Sequence, residues 1–288
     1  EHVWCFSPEG NLAWTTNIAE HGARGGFVST IITRDGHVGG VTLNGQMVLL
    51  DRETGALVKP VHQTPAGQIF KPVPAMPGLW HDDLMDPELV KRIEPAFFGR
   101  GFAVTSSPAV NPGSGLIYYS AVSPSPGQSR IYAVSESANV ITVEFETDID
   151  GICTASPSIS PDGQRFYTVN GKGFLHAFDS ETGTLLWKRA GGNMAASPAV
   201  GLDDIVYSAG INPDDGRSCL MAVQGESGDL VWQRNYDQIA EASLPVLQAN
   251  ELFPIGAPTA VANSVPTITP AVIFMLVNLG YAFREPSS

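Results

Sequence analysis

The sequence predicts an all-β fold assembled from a repeated unit of four short strands. Three observations indicate this: the 288 residues include 30 Gly and 22 Pro, the hydrophobic fraction is 43%, and one pattern recurs about every 45 residues. Frequent turn residues in a chain with enough apolar residues for a core indicate many short elements joined by tight turns. Helical bundles and coiled coils are disfavoured, because they keep Gly and Pro out of their interiors.

The repeat is clearest at glycines that precede a short apolar run. The copies read FSPEGNLAW, LDRETGALV, FDSETGTLLW and VQGESGDLVW, and their glycines are Gly10, Gly55, Gly183 and Gly228. A weaker copy, VSESANVITV, has Asn139 at the glycine position. A second signature built on Ser-Pro precedes three of the copies, as TSSPAV, TASPSI and AASPAV. The chain is therefore a series of related units.

One period holds four predicted strands. In the best copy they are SPSIS, QRFYTVN, GFLHAFD and TLLWKR, joined by turns at PDG, NGKG and SETG. Strand alternation places Phe174, His176 and Phe178 on one face. A period of about 40–50 residues with four strands is typical of a β-propeller, in which each four-stranded sheet, or blade, covers its neighbours. The tryptophans that end the copies are predicted to pack between neighbouring blades: Trp14, Trp187 and Trp232.

The ends of the repeat predict how the propeller closes. Residues 1–16 hold only the outer part of a blade, and residues 258–283 hold two apolar strands with no outer pair after them. N- and C-terminal strands that share one blade would close the ring and remove two exposed edges. We expect a single propeller domain over residues 1–288 with six or seven blades. The count is six if the diverged segment 60–103 is a blade, five if it is an insertion, and seven if 237–257 counts separately.

The combination of SPAV, an aromatic strand, GFLHAFDSETGTLLW and a spacing near 45 resembles the PQQ-like β-propeller repeat. The resemblance is good over residues 104–236, fair over 1–59, and poor over 60–103 and 237–288. This family includes quinoprotein alcohol dehydrogenases and also non-enzymatic propellers such as an outer-membrane assembly scaffold. The resemblance therefore implies the fold and leaves the function open.

Charge and composition exclude several classes of protein. The formal net charge is −13, Lys and Arg total 16, and no basic run occurs, which disfavours nucleic-acid binding and attraction to anionic membranes. No run of about 18 apolar residues is present, so no transmembrane segment is expected. The cysteines, Cys5, Cys153 and Cys219, stand far apart, which disfavours a structural metal site.

The first candidate ligand site lies on the propeller axis, at the loops that precede the innermost strands. Its candidate residues are Arg24, Arg100, Asp150, Asn193 and Glu241. Arg24 and Arg100 lie in the glycine-rich sequences GARGG and FGRGF, and a guanidinium group binds a carboxylate or phosphate with two hydrogen bonds. The alternative is that the two arginines pair with Asp148, Asp150 or Glu241 and join neighbouring blades.

The second candidate cluster lies within the diverged segment, before a short helix predicted over residues 86–93. It consists of Trp80, His81, Asp82 and Asp83. A histidine with two carboxylates has the chemistry for metal binding or acid–base work. Consecutive residues rarely all point at one ion, so we predict no metal site and favour a functional excursion over one propeller face.

These observations predict a non-catalytic binding or assembly module that is periplasmic or extracellular. Its expected partner is a protein or a small polar or anionic ligand, and no cofactor is predicted. The alternative is an enzyme that uses the axial pocket. The resemblance to quinoprotein oxidoreductases would imply PQQ and calcium, although the adjacent cysteine pair of many of those enzymes is absent; the other enzymatic possibility is a small-molecule hydrolase or isomerase.

Overall fold

The computed structural model describes residues 1–64, 105–123, 128–137, 139–153, 155–192, 197–211, 214, 218–235, 259–260 and 266–267. Within these ranges the regular elements are β-strands and one 3-10 helix, Ile18–His21, so the all-β class is confirmed. The helix predicted over residues 86–93 lies outside the described residues.

Four sheets of four antiparallel strands follow one another along the chain, after a two-stranded pair formed by β1 (His2–Phe6) and β2 (Leu12–Asn17). Sheet I comprises β3 (Ile31–Ile32), β4 (Val38–Val41), β5 (Gln46–Leu50) and β6 (His62–Gln63). Sheet II comprises β7 (Ala109–Val110), β8 (Ile117–Val122), β9 (Gln128–Glu136) and β10 (Ile141–Asp150). Sheet III comprises β11 (Ser158–Ile159), β12 (Arg165–Val169), β13 (Phe174–Asp179) and β14 (Leu185–Ala190). Sheet IV comprises β15 (Ala199–Val200), β16 (Ile205–Ile211), β17 (Ser218–Gln224) and β18 (Leu230–Asn235). A separate pair consists of β19 (Thr259–Ala260) and β20 (Pro266–Thr267).

Local hydrogen bonds explain why the repeated sequence DSETG forms a turn between the third and fourth strands. The Asp179 carboxylate accepts bonds from the backbone N–H groups of Glu181 (3.1 Å) and Thr182 (2.8 Å). Gly183 then adopts a φ of 68°, which favours glycine. Asp51 makes the same bonds in DRETG. In these two units the repeat therefore encodes a turn that forms from its own residues.

The innermost strands place the sheets around a common axis. Successive first strands touch in the order β3, β7, β11, β15 and β19. This blade arrangement confirms the propeller class. Residues 60–64 contribute the fourth strand of sheet I, and sheet I lies directly against sheet II. The rest of segment 60–103 lies outside the described residues, so its assignment as a blade or an insertion stays a prediction. The blade count and the closure by the chain ends involve residues outside the described ranges.

Strand alternation divides the core into layers between neighbouring sheets. In β13, Leu175 and Ala177 face sheet IV, whereas Phe178 faces sheet II. The other third strands alternate in the same way, because successive side chains of a strand point to opposite faces. The largest fully buried residues of these layers are aromatic: Tyr118, Tyr119, Tyr132, Phe166, Tyr167 and Phe178.

An aromatic ring on the outer strand of one sheet packs over the turn glycine of the next sheet. The pairs are Trp14 on Gly55, Phe145 on Gly183 and Trp187 on Gly228. A Cβ atom on these glycines would lie 2.5–2.7 Å from the ring. The predicted position between sheets is thereby confirmed for Trp14 and Trp187. The ring of Trp232 contacts Tyr207 in its own sheet, with centroids 6.1 Å apart.

Candidate functional site

The predicted axial site lies on connections that run from an outer strand to the innermost strand of the next sheet. All four sheets have the same strand order and direction, so these connections lie on one face of the propeller. Arg24 is on the connection into sheet I, and its side chain is 63% exposed. The Glu1 carboxylate is 3.8 Å from its guanidinium group, and the Arg24 backbone N–H donates to Oε1 of Gln46 at 2.6 Å.

Asp150 lies at the end of strand β10, whereas the sequence analysis placed it in a loop that precedes an innermost strand. The loop assignment was wrong, because alternate residues of this stretch pack inward: Ile149 is buried, and the Thr147 hydroxyl donates to the Gly183 carbonyl at 2.9 Å. The Asp150 carboxylate accepts from Nζ of Lys172 at 2.6 and 2.7 Å. Asp150 therefore links sheet II to the turn between β12 and β13 of sheet III.

Of the predicted site residues, the structure describes Arg24 and Asp150. Arg24 and Asp150 each have a different partner, and Asp148 accepts from Nε of Arg130 at 2.6 Å rather than from Arg24. The other candidates of both clusters lie outside the described residues: Arg100, Asn193, Glu241, Trp80, His81, Asp82 and Asp83. Ligand binding at these positions stays a prediction.

An ionic cluster that the sequence analysis did not identify joins sheets I and II. Nδ1 of His37 lies 2.7 Å from Oε2 of Glu136, and Nζ of Lys59 lies 4.0 Å from the same oxygen. The Lys59 ammonium donates to the Ser137 carbonyl at 2.7 Å. The side chains of Glu136 and Lys59 are buried, so removal of either one would leave the charge of the other without its partner. No local sequence signal marks it, because His37 and Glu136 are 99 residues apart.

A second polar network joins sheets III and IV. The Arg165 guanidinium donates to Asp204 at 2.8 Å, and the Tyr167 hydroxyl donates to the other oxygen of Asp204 at 3.0 Å. Burial raises the pKa of Tyr167 above its ordinary value, so the phenol is protonated at neutral pH and can donate. Arg165 also bonds Asp162 at 3.1 Å in its own turn. Arg165 and Tyr167 of sheet III therefore hold Asp204 of sheet IV through hydrogen bonds.

Two titratable side chains in the core of the described residues are buried and have shifted pKa values. The Cys153 thiol is buried, and its pKa is raised by desolvation, so the thiol form dominates; its sulfur lies 3.3 Å from the Thr168 hydroxyl. His176 lies between aromatic rings, and burial lowers its pKa to about 4, which makes it neutral at pH 7. Neither group has the exposure of a nucleophile or a general base.

The donor sets of the described residues do not fit the calcium and PQQ of a quinoprotein. Within the described ranges, no group of three or more His, Cys, Asp or Glu side chains lies close enough to hold a metal ion. All three cysteines are described, none forms a disulfide, and none is adjacent to another in sequence.

The four-stranded sheets, their successive inner strands and the repeated turn define this protein as a β-propeller of PQQ-like repeats. A family model described as "Outer membrane protein assembly factor BamB" matches residues 79–253, which is more than half of the chain. The chain belongs to this family.

Two solved structures show what the chain is similar to. One is the crystal structure of BamB from Moraxella catarrhalis, with 16% identity and a TM-score of 0.45, covering 82% of this chain and 69% of that one. The other is a europium-containing methanol dehydrogenase, with 15% identity and a TM-score of 0.36, covering 45% of this chain and 24% of that one. No curated protein matches the chain. Among the described residues, no helix is long and apolar enough to span a membrane.

Proposed function

We propose that this chain is a non-catalytic propeller that acts outside the cytoplasm and binds protein partners during the assembly of outer-membrane proteins. The observation that carries the proposal is the family match over residues 79–253, with its description as an assembly factor. The side-chain chemistry supports it. Two of the charged groups between the described sheets pair with side chains of the neighbouring sheet, Arg165 with Asp204 and His37 with Glu136.

A test in cells measures the level of folded outer-membrane proteins after deletion of the gene. Folded and unfolded barrels differ in gel mobility before heating, which separates a defect of assembly from one of synthesis. We expect the deletion to lower the folded fraction and the wild-type chain to restore it. A matched pair of variants controls for loss of fold. Trp187→Ala removes a ring that packs between two sheets, whereas Leu186→Ala changes an exposed residue of the same strand. Normal folded levels in the deletion strain would contradict the proposal.

Two measurements on the purified chain separate this function from the enzymatic alternatives. Addition of PQQ and calcium is expected to produce no quinone absorbance band attributable to bound cofactor. Addition of purified components of the outer-membrane assembly machinery is expected to produce a complex by size-exclusion chromatography. A bound quinone without a protein complex would replace the proposed function with an oxidoreductase.

We further propose that the axial face binds an anionic group of the partner or of a small ligand through Arg24 and Arg100, with Asp150, Asn193 and Glu241 around them. The exposure of Arg24 supports this, since among the described residues the carboxylate paired with it, that of Glu1, is 3.8 Å away. The double Arg24→Ala, Arg100→Ala variant should keep its melting temperature and lose affinity for the anionic partner. A lower melting temperature with unchanged affinity would assign the arginines to blade contacts.

A further inference from the structure

Strand β10 is the longest outer strand of the described sheets. It has 10 residues, whereas β2, β14 and β18 have 6 each. It lies at the end of the strand order β10-β9-β8-β7, so one of its edges faces away from β9. The backbone groups of that edge pair with no other strand of the described ranges. Such an edge is a template to which an extended segment can add as a further strand.

A β-bulge precedes the aromatic residue of each of these outer strands and limits the length of regular edge. In β10 the register shifts between Val143 and Phe145, and in β14 the same shift lies just before Trp187. The bulges of β2 and β18 have the same position. A bulge bends its strand and disrupts the ladder, so an added strand pairs regularly only beyond it. Four residues lie beyond it in β2, β14 and β18, but six do in β10, residues 145–150.

Contacts with sheet III hold this part of β10 in an extended conformation. The Phe145 ring packs over Gly183, and the Thr147 hydroxyl donates to the Gly183 carbonyl at 2.9 Å. Ile149, the next inward residue, is buried. The edge is therefore formed before any partner arrives, and a pre-formed strand loses less conformational entropy on pairing than a flexible one.

The outward side chains of β10 are mostly acidic. Glu144, Glu146 and Asp148 are exposed and alternate with the inward residues. Arg130 of β9 donates to Glu146 at 2.8 Å and to Asp148 at 2.6 Å, and Glu144 accepts from the Ser135 hydroxyl. Three carboxylates therefore share one guanidinium group, which leaves two negative charges in excess on this face of the strand.

This charge decides which kind of strand the edge accepts. A second copy of β10 would bring the same carboxylates, and like charges on neighbouring strands are destabilising. A strand with Lys or Arg at alternate positions would instead place opposite charges beside Glu146 and Asp148. In strand addition the main-chain hydrogen bonds supply affinity, and the alternate side chains supply specificity.

From the length of this edge and its charge, we propose that residues 145–150 of β10 dock an extended polypeptide segment that has basic side chains at alternate positions. The segment adds to sheet II as a fifth strand. The proposal rests on sheet II alone, so it holds or fails independently of the proposed role in the assembly of outer-membrane proteins.

Hydrogen exchange read by mass spectrometry locates a defined probe on the full chain. The probe is a short synthetic peptide in which lysine alternates with threonine and valine. In buffer of low ionic strength we expect protection of about three amides within residues 145–150, because alternate N–H groups of a strand face the same edge. Protection confined to other parts of the chain, or none at about 1 mM peptide, would overturn the proposal.

Two altered peptides separate strand addition from simple attraction between charges. Proline in place of each valine keeps the lysines but removes backbone donors, and should weaken binding at least about tenfold. Glutamate in place of each lysine should abolish binding, because it brings like charges to the edge. Equal binding of the proline peptide would refute strand addition, and binding of the glutamate peptide would refute selection by charge.

A matched pair of double variants tests the carboxylates of β10. Glu146→Gln with Asp148→Asn should weaken binding of the lysine peptide by about 3-fold or more. Glu53→Gln with Glu181→Gln removes the same charge from exposed turns of sheets I and III and should leave the affinity unchanged. Melting temperatures within about 2 °C of the parent chain verify that both variants are folded. Equal losses of affinity would assign binding to the net charge of −13 rather than to β10.

Discussion

The docking of Trp187 on sheet IV provides a direct test of what holds neighbouring sheets together. Its ring lies over Gly228, stacks at a tilt on Tyr167 with centroids 5.9 Å apart, and donates a hydrogen bond to Gly225. Truncation of a buried aromatic to alanine costs about 3–5 kcal/mol, and Trp187 is half-buried, which places its packing loss below that range. With about 1 kcal/mol for the hydrogen bond, Trp187→Ala should lower the free energy of unfolding by about 3 kcal/mol.

Thermal and urea unfolding measure this effect. A loss of 3 kcal/mol corresponds to a decrease of about 6–12 °C in melting temperature for a domain of this size. Trp187→Phe should lower the free energy of unfolding by only about 1 kcal/mol, because it removes the indole N–H donor but keeps an aromatic ring over the glycine. Sheet II has such a phenylalanine, Phe145, at the equivalent position. Leu186→Ala, at an exposed position of the same strand, should change stability by less than about 0.5 kcal/mol. If Trp187→Ala matched Leu186→Ala, the reasoning would be refuted.

Two further predictions concern the seam between sheets II and III. Gly183→Ala should destabilise the fold by more than Gly36→Ala, because a Cβ at Gly183 would lie 2.5 Å from the Phe145 ring whereas Gly36 has open space; equal melting temperatures would contradict this packing. Burial lowers the pKa of His176 from 6.5 to about 4, so the folded state binds fewer protons than the unfolded chain between these pH values. The free energy of unfolding should therefore fall as pH decreases from 6.5 to 4, by up to about 3 kcal/mol, with no further loss from this group below pH 4. His176→Met introduces the residue that sheet IV has at the equivalent position, Met221. This variant should lose the pH dependence when unfolding by urea is compared at about pH 7 and about pH 4.5. An unchanged pH dependence would assign the effect to other groups.

Three interfaces share one construction: β1–β2 with sheet I, sheet II with sheet III, and sheet III with sheet IV. This explains why a repeat of packing residues says little about function. A ring covers a glycine, and the residue two positions after the ring donates to that glycine's carbonyl, as Thr147 does to Gly183 at 2.9 Å and Arg189 to Gly228 at 3.1 Å. The aromatic residue and the glycine that make the repeat recognisable in the sequence are therefore the residues that pack neighbouring sheets together. We therefore expect the functional surface on the connections, which differ in sequence from unit to unit.

The sequence by itself determined the strands, the turns and the class of fold. Each is set by neighbours in the chain: the Asp179 carboxylate folds its own turn, and alternation in GFLHAFD places Phe174, His176 and Phe178 on one face. Such features are readable because hydrogen bonds over two or three residues and a side-chain period of two require no distant partner.

The tertiary structure decided which units touch and which charges pair. Residues 60–64 complete sheet I, and its direct contact with sheet II was not readable from a segment that departs from the repeat. Asp150, predicted on the axis, pairs with Lys172, and His37 meets Glu136 across 99 residues. These pairings depend on the packing angle and register between sheets, which arise from the summed burial of many side chains and leave no local pattern in the chain.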